Sequence, residues 1–422
     1  MSLKFDTVVL DFDGTVCESG PGITKSAASA FERMGRPVPP HETLERFVGP
    51  PLLAAFADFG GMTREEAETA VTLYRERYSE VGLFEARIYP GIPALLRELK
   101  AAGARVCVAS GKPERFLTRI IAHFDLAEYI DAIAGPRQDG FSSDKSDQVR
   151  AVLPEHADLS RVCMIGDRCF DIEAGKALGV TSIGVTYGYG TRAELEDSGA
   201  DLIFEDARAL RDCLMGGAPL PRGRFISFEG TDGCGKSTQI SLLDEYLRER
   251  GWETVVSREP GGCGISEKIR EILLSLESKG MSAECEALLY AASRIEHVKR
   301  VILPALEDGR TVLCDRFYDS SFAYQAYGRQ LGADFIRQIN GPALDLAEPD
   351  ITLQFDIDRA EARRRAAKAA PADRLESEKD EFFARVEEGY RQCALTSPGR
   401  IRRIDSGRSI DEVFRDVLAA IR

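Results

Sequence analysis

The chain has no apolar run near the roughly 18 residues that a membrane-crossing helix needs. Its first residues, Met1-Ser2-Leu3-Lys4-Phe5-Asp6, carry no signal-peptide core. Together these absences predict a cytoplasmic protein without a membrane partner. Positive charge is in deficit, with a formal net charge of -14, which argues against nucleic acid as a broad partner. Ten cysteines are scattered without a C-x-x-C pair. They read as reduced thiols, several inside apolar strand-like runs such as Val106-Cys107-Val108, rather than as a disulfide frame or zinc site. Internal repeats and low-complexity tracts are also missing.

What is present is organised in two halves. A length of 422 residues exceeds one ordinary core. The Gly/Pro cluster Met215-Gly216-Gly217-Ala218-Pro219-Leu220-Pro221-Arg222-Gly223 is the clearest break. It divides the chain into residues 1–215, a linker at 216–223, and residues 224–422. Both halves alternate β-rich runs with helical patterns, which predicts α/β domains built on parallel sheets. In the first half strands are expected at Thr7–Phe12, Arg105–Ala109, Val162–Ile165 and Ser182–Val185. From Val16 to about Tyr89 only helical pattern appears, so residues 16–89 are expected to form an inserted helical cap. In the second half strands are expected at Phe225–Glu229, Thr254–Ser257, Thr311–Asp315, Ile351–Ile357 and Ile401–Asp405.

Each half opens with a phosphate-handling signature at the end of its first strand, the edge where parallel sheets bind ligands. In Asp11-Phe12-Asp13-Gly14-Thr15 two carboxylates spaced i, i+2 suit a nucleophile and a general acid/base, and Gly14 permits the turn. Later strand ends add Ser110, a hydroxyl for a phosphate oxygen. They also add Lys145, a cation for developing charge, with Asp167 and Asp171, oxygen ligands for magnesium. Gly230-Thr231-Asp232-Gly233-Cys234-Gly235-Lys236-Ser237 fits G-x-x-x-x-G-K-[ST] between a strand and a helix. Backbone N–H groups there would face phosphates, Lys236 would reach the β- and γ-phosphates of ATP, and Ser237 would bind magnesium. Phosphate loops also serve GTPases and motor ATPases; no Asn-Lys-x-Asp follows, which lowers the GTPase reading.

The ordered set Asp11/Asp13, Ser110, Lys145 and Asp167/Asp171 resembles the haloacid dehalogenase-like phosphohydrolases over about Lys4 to Leu214. The resemblance implies a Rossmann-like three-layer core with a helical cap. It implies Asp11 as the nucleophile and Asp13 as the acid and then the base. Ser110 and Lys145 would hold the phosphoryl group. Magnesium would be bound by Asp11, the Asp13 carbonyl and Asp167, with Asp171 in support. Phe47-Val48-Gly49-Pro50-Pro51-Leu52 and Tyr187-Gly188-Tyr189-Gly190 are similar to the phosphoglycolate phosphatase and 5'-nucleotidase-like branch; a β-phosphoglucomutase-like mutase is the alternative. The implied substrate is a small phosphomonoester. Arg46, Lys112 and Arg168 are candidates to touch it, although solvation is the better reading for each.

In the second half the loop is followed by Arg258-Glu259-Pro260-Gly261-Gly262 and Leu289-Tyr290-Ala291-Ala292-Ser293-Arg294. Asp315-Arg316-Phe317-Tyr318-Asp319-Ser320-Ser321, Ala323-Tyr324-Gln325 and Asp373-Arg374-Leu375-Glu376 complete the series. This set resembles thymidylate kinase over about Arg224 to Arg422, a P-loop NTPase fold that carries ATP and dTMP. The nucleotide would rest on Gly230, Asp232, Gly233, Cys234, Gly235, Lys236, Ser237 and Thr238. The resemblance implies Arg316 on the dTMP phosphate, with Ser320 beside it. Tyr290 would stack on thymine and Arg294 would bond it. Tyr324 and Gln325 would line sugar and base, with Asp232 and Arg258 near the phosphates. Three positions depart from the family pattern: Tyr290, Ser293 and Phe317. The phosphate loop holds no arginine, so the lid should supply the transition-state cation. Arg365, Lys368 and Arg374 are the candidates there, and Arg363 and Arg364 are read as equally a solvated helix face. Such kinases are commonly homodimers, which the resemblance extends to this half. Two rivals remain open: an ATP-binding module that gates the phosphatase, and a kinase for another nucleoside monophosphate.

Overall fold

The computed structural model describes residues 3–136, 144–216, 222–366, 374, 375 and 378–421. Ser142 and Ser143, most of the expected linker, and Lys368, Asp373 and Glu376 of the lid lie outside these. Two compact units account for the chain, the first running to residue 219 and the second essentially from 220 onward. No described helix is long and apolar enough to cross a membrane.

In the first unit strand β1 (Thr7–Leu10) is central. The unit continues with β2 (Cys17–Glu18), β3 (Arg87–Ile88), β4 (Arg105–Ala109), β5 (Ala132–Ala134), β6 (Val162–Gly166), β7 (Thr181–Val185) and β8 (Leu202–Phe204). Six of them form one parallel sheet in the order β5-β4-β1-β6-β7-β8. β1 is buried along its whole length because helices cover both faces. Val8, Leu10, Val106, Val108 and Ile165 belong to the core on one side. Val9, Cys107, Ala109 and Met164 belong to the core on the other, which is the strand period of two.

The expected strands all form, with no end moved by more than two residues. β1 stops at Leu10, although the Asp11 N–H still bonds the Ile165 carbonyl at 2.8 Å, because the chain then turns at Gly14. Gly14 has φ 88°, and a Cβ there would lie 2.1 Å from Asp167 Oδ2. Two expectations need correction. The segment 16–89 does contain strands: β2 and β3 pair antiparallel where the chain leaves and re-enters the core, and two-residue strands leave no alternation to read. The edge strands β5 and β8 were also not expected; each has three residues. The cap between β2 and β3 is helical, its longest helix Arg64–Glu80 started by a Thr63/Glu66 capping box.

The second unit has β9 (Phe225–Glu229), β10 (Thr254–Arg258), β11 (Thr311–Asp315), β12 (Ile351–Asp356) and β13 (Ile401–Asp405). They form a parallel sheet in the order β10-β11-β9-β12-β13. Ile226, Phe228, Leu313, Leu353 and Phe355 face one helical layer; Phe225, Val312 and Cys314 face the other. In both units the first strand has neighbours on either side. The loop after it therefore lies where the strand order switches, the favoured ligand position in such sheets.

Candidate active sites

In the first unit the loop after β1, the ends of β4 and β6, and the start of the helix Lys145–Val152 converge. Lys145 Nζ lies 2.5 Å from Asp11 Oδ1 and 2.8 Å from Asp171 Oδ1. Asp11, Asp167 and Asp171 are buried, and each offers a carboxylate oxygen within 4.8 Å of the others. Burial pushes Asp11 up to about 7 against the pull of Lys145, with Asp171 and Asp167 adding to the rise. Burial and Asp171 push Asp167 up to about 6. One ammonium does not neutralise three buried carboxylates, so the donor set fits a hard divalent cation such as magnesium. Asp167 is oriented for this by the Tyr189 N–H at 2.8 Å and the Thr15 hydroxyl at 3.3 Å. Ser110 is buried at the end of β4, its Oγ accepting the Lys112 N–H at 3.3 Å.

Asp13 is held by a group the sequence reading had set aside. Lys112 is buried, not solvated, and its Nζ lies 2.6 Å from Asp13 Oδ1. Position i+2 from Ser110 was the available signal, since it keeps Lys112 at the same sheet edge. Arg46 and Arg168 line a groove of about 880 Å³ between cap and core, with Glu18, Phe59 and Tyr189. Arg46 stacks on Phe59 at 4.0 Å from the ring centre, and Arg168 pairs with Glu194 at 2.8 Å.

In the second unit a cavity of about 920 Å³ gathers nearly every residue that the motifs marked. The phosphate loop lines it from Asp232 through Gly233, Cys234, Gly235, Lys236, Ser237 and Thr238. Arg258, Tyr290, Arg294, Arg316, Ser320, Tyr324, Gln325 and Arg365 face it from other elements. Gly230 enters through its carbonyl, which accepts from Lys236 Nζ at 3.1 Å and Arg316 Nη1 at 2.7 Å. Ser237 Oγ donates to Asp315 Oδ2 at 3.3 Å. Asp315 Oδ1 is buried with no hydrogen-bond partner among the described residues, and Lys236 Nζ lies 4.0 Å from it. A serine hydroxyl beside an under-satisfied carboxylate fits magnesium carried in with a nucleoside triphosphate.

Arg316 is the hub of the acceptor side. Its φ is 69°, a backbone state that costs a side-chain-bearing residue about 1 kcal/mol. Nη2 donates to Asp232 at 2.7 Å; Nη1 also reaches Tyr390 at 3.1 Å and Ser320 at 3.3 Å. Desolvation works the other way, yet Arg316 and Lys236 hold the Asp232 carboxyl down at about 2. Tyr324 and Gln325 lie in a π-helical stretch, Phe322–Gly328, a geometry common at functional sites. Arg294 reaches the cavity but spends much of its fork on protein, with Glu259 at 2.7 Å and the Phe317 carbonyl at 3.2 Å.

Of the described lid candidates, Arg365 lines the cavity and pairs with Glu361 at 2.6 Å. Arg374 is buried behind it, 2.8 Å from Glu286 Oε2 and donating to the Leu273 carbonyl at 2.8 Å. Sequence reasoning missed Glu229, Glu286 and Tyr390. Glu229 accepts from the Phe317 N–H and the Ser320 hydroxyl at 2.8 and 2.5 Å. Its signal was a carboxylate closing an otherwise apolar strand just before the phosphate loop.

Comparison with known proteins agrees with this division. The family model described as haloacid dehalogenase-like hydrolase matches residues 8–185, and the thymidylate kinase model matches residues 228–417. A thymidylate kinase from Pelotomaculum thermopropionicum is 49% identical over 200 residues, 47% of this chain and 93% of that protein. One from Nitrosospira multiformis is 46% identical over 200 residues, 47% of this chain and 97% of that protein. A solved structure of a predicted phosphatase from Clostridium acetobutylicum is 37% identical, covering 51% of this chain and all of that one, with a TM-score of 0.47. The chain thus joins a segment that matches the haloacid dehalogenase-like hydrolases to a kinase, and through its second unit it belongs to the thymidylate kinase family.

Proposed function

We propose that residues 224–422 transfer the ATP γ-phosphoryl group to dTMP, and that residues 1–215 hydrolyse a small phosphomonoester through an aspartyl-phosphate, with 216–223 as the linker. The observation that carries the kinase reading is the single cavity uniting the phosphate loop with Arg316, Tyr290, Tyr324 and Gln325. ATP would lie on the loop with Lys236 at its phosphates; Ser237 and Asp315 would hold magnesium, which offsets the phosphate charge. Arg316, with Ser320 and Asp232, would set the dTMP phosphate in line, and Arg258 would add positive charge nearby. Tyr290, Tyr324, Gln325 and the remaining donors of Arg294 would seat the nucleoside. A dTMP phosphate oxygen then forms the new P–O bond as the bond to ADP breaks. Arg365 would steady the transferring group; Arg374 would brace Glu286 and the wall of the site.

In the phosphatase, Asp11, the Asp13 carbonyl and Asp167 would hold magnesium, supported by Asp171; the ion screens the phosphate charge from the carboxylates. Asp11 forms a bond to phosphorus while the bond to the leaving oxygen breaks, and Asp13 gives that oxygen its proton. Asp13 then takes a proton from the water that cleaves the acyl-phosphate. Ser110 and Lys145 hold the phosphoryl oxygens. The substrate is phosphoglycolate or a nucleoside monophosphate, read by the groove with Arg46 and Arg168.

We also infer a cytoplasmic homodimer. Its contact would run through the second unit, where Ile265, Ile272, Leu276 and Leu288 are exposed on neighbouring helices; light scattering at twice the monomer mass checks it. Lys236→Ala should abolish dTDP formation and leave phosphate release intact, and Asp11→Asn should do the reverse. Phosphate release from 2-phosphoglycolate and a nucleotide panel by the Lys236→Ala protein then identifies the substrate. Hydrolysis by Asp11→Asn at the wild-type rate would refute the nucleophile.

A further inference from the structure

Three distant segments of the phosphatase unit meet at one ammonium group. Lys112 Nζ lies 2.6 Å from Asp13 Oδ1 and 2.8 Å from the hydroxyl of Tyr78. Asp13 belongs to the loop after β1, Lys112 follows β4, and Tyr78 stands on the cap helix Arg64–Glu80. The Lys112 side chain is 5% exposed, and the rings of Phe12 and Tyr78 flank its charge at 5.7 and 5.5 Å. Burying an ammonium is costly unless its hydrogens find partners. Here one partner comes from the core and one from the cap. Tyr78 is itself fixed, stacked on Tyr74 at 5.2 Å and edge-on to Phe116 at 5.8 Å.

We propose that Lys112 is a positioning residue for Asp13, and that Tyr78 makes this positioning depend on the docked cap. The inference rests on the reading of Asp13 as the acid that protonates the leaving group. Lys112 engages Oδ1, whereas Oδ2 takes no hydrogen bond from the described residues and is left to meet the leaving oxygen. A carboxylate pinned at one oxygen loses rotational freedom that the transition state would otherwise have to remove. With the cap away from the core, Tyr78 is withdrawn and Lys112 keeps only one of its two described side-chain partners. Asp13 is therefore best aimed when the cap also excludes water from the acyl-phosphate. Lys112 also donates its backbone N–H to Ser110 Oγ at 3.3 Å, so one residue orders both the acid and a phosphate-facing hydroxyl.

The test uses the full chain with magnesium and two monoesters. p-Nitrophenyl phosphate loses a stable phenolate and needs little help from an acid. An alkyl monoester that the protein turns over, 2-phosphoglycolate or a deoxynucleoside monophosphate, needs a proton on its leaving oxygen. Tyr78→Phe keeps the ring and removes one hydroxyl. It should lower kcat on the alkyl ester about tenfold, as for the loss of one hydrogen bond to a charged group, with KM unchanged. On p-nitrophenyl phosphate the loss should be under about threefold. Lys112→Gln should show the same selectivity more strongly, approaching Asp13→Asn, for which a general acid predicts a loss of about 10²-fold or more on the alkyl ester. Turnover of dTMP by each variant reports an intact chain. Equal losses on both esters, or no loss on the alkyl ester, would overturn the positioning role if Asp13→Asn is itself selective. If Asp13→Asn is unselective, the acid assignment falls and the inference with it.

Discussion

Arg316→Lys isolates what the planar guanidinium does in the kinase. The change keeps the charge and a similar length. Arg316 serves two directions with two nitrogens: Nη1 reaches the Gly230 carbonyl at 2.7 Å, and Nη2 reaches Asp232 at 2.7 Å. A single Nζ cannot occupy both places, and it cannot offer a phosphate the paired donors of a fork. At least one hydrogen bond involving a charged group is lost, about 1.5–3 kcal/mol. That corresponds to a fall in kcat/KM for dTMP of about 10- to 150-fold, since ~1.4 kcal/mol is a factor of ten. The loop that holds ATP keeps a second anchor when Arg316 is changed, Lys236 on the Gly230 and Thr231 carbonyls at 3.1 and 3.2 Å. KM for ATP should therefore change by less than about threefold on the same argument. A coupled ADP-release assay with each substrate varied in turn measures both. Equal losses for ATP and dTMP would refute the assignment of Arg316 to the acceptor, as would an unchanged kcat/KM for dTMP. Phosphate release by the first unit of the same protein should be unaltered.

Further outcomes follow from individual contacts. Burial, and then Asp319, push Glu229 up to about 7 in the folded protein from an ordinary 4.5. The folded state thus holds a proton that the unfolded state has lost between those values, and kinase-unit stability should fall as pH rises across that window. Glu229→Gln should flatten the slope in thermal melts, the kinase transition being the one that dTMP and ATP shift upward; an unchanged slope would count against it. At Gly166 a Cβ would lie 2.1 Å from Asp171 Cγ. Gly166→Ala should displace Asp171 from Lys145 and weaken magnesium-dependent phosphate release by about tenfold or more, roughly one charged hydrogen bond; a magnesium titration unaffected by the change would refute this. Arg365→Ala should reduce kcat for dTDP formation by about 10²-fold or more at unchanged dTMP KM. Arg374→Ala should mainly lower stability, because it removes one of the two arginines that pair with the buried Glu286, and the kcat effects of the two variants decide between them.

The candidate site residues were legible because parallel sheets present their ligands at strand ends. Asp11, Ser110 and Asp167 lie just after apolar runs, Asp315 closes one, and Lys236 ends the glycine-rich loop that follows another, so a strand reading also located the candidates. The groups that tune those residues were not legible for the complementary reason. Lys112 reaches Asp13, and Glu286 collects Gln325, Arg329 and Arg374, across 39 to 99 positions of sequence. A lone Lys or Glu in a polar loop or helix carries no periodic signal, and solvation is its ordinary fate. Burial is what changes the reading: once an ionisable group is enclosed, its partner is dictated by the cost of leaving it unpaired. The short strands β2, β3, β5 and β8 escaped on similar grounds, since two or three residues cannot display alternation and their pairing is set by neighbours. The same logic ranks the described lid arginines. Arg365 and Arg374 are equivalent as sequence, but Arg365 opens to the cavity and its Glu361 partner is on the same helix, whereas Arg374 is enclosed on the buried Glu286, so we rank Arg365 ahead as the candidate to meet the transferring phosphoryl group.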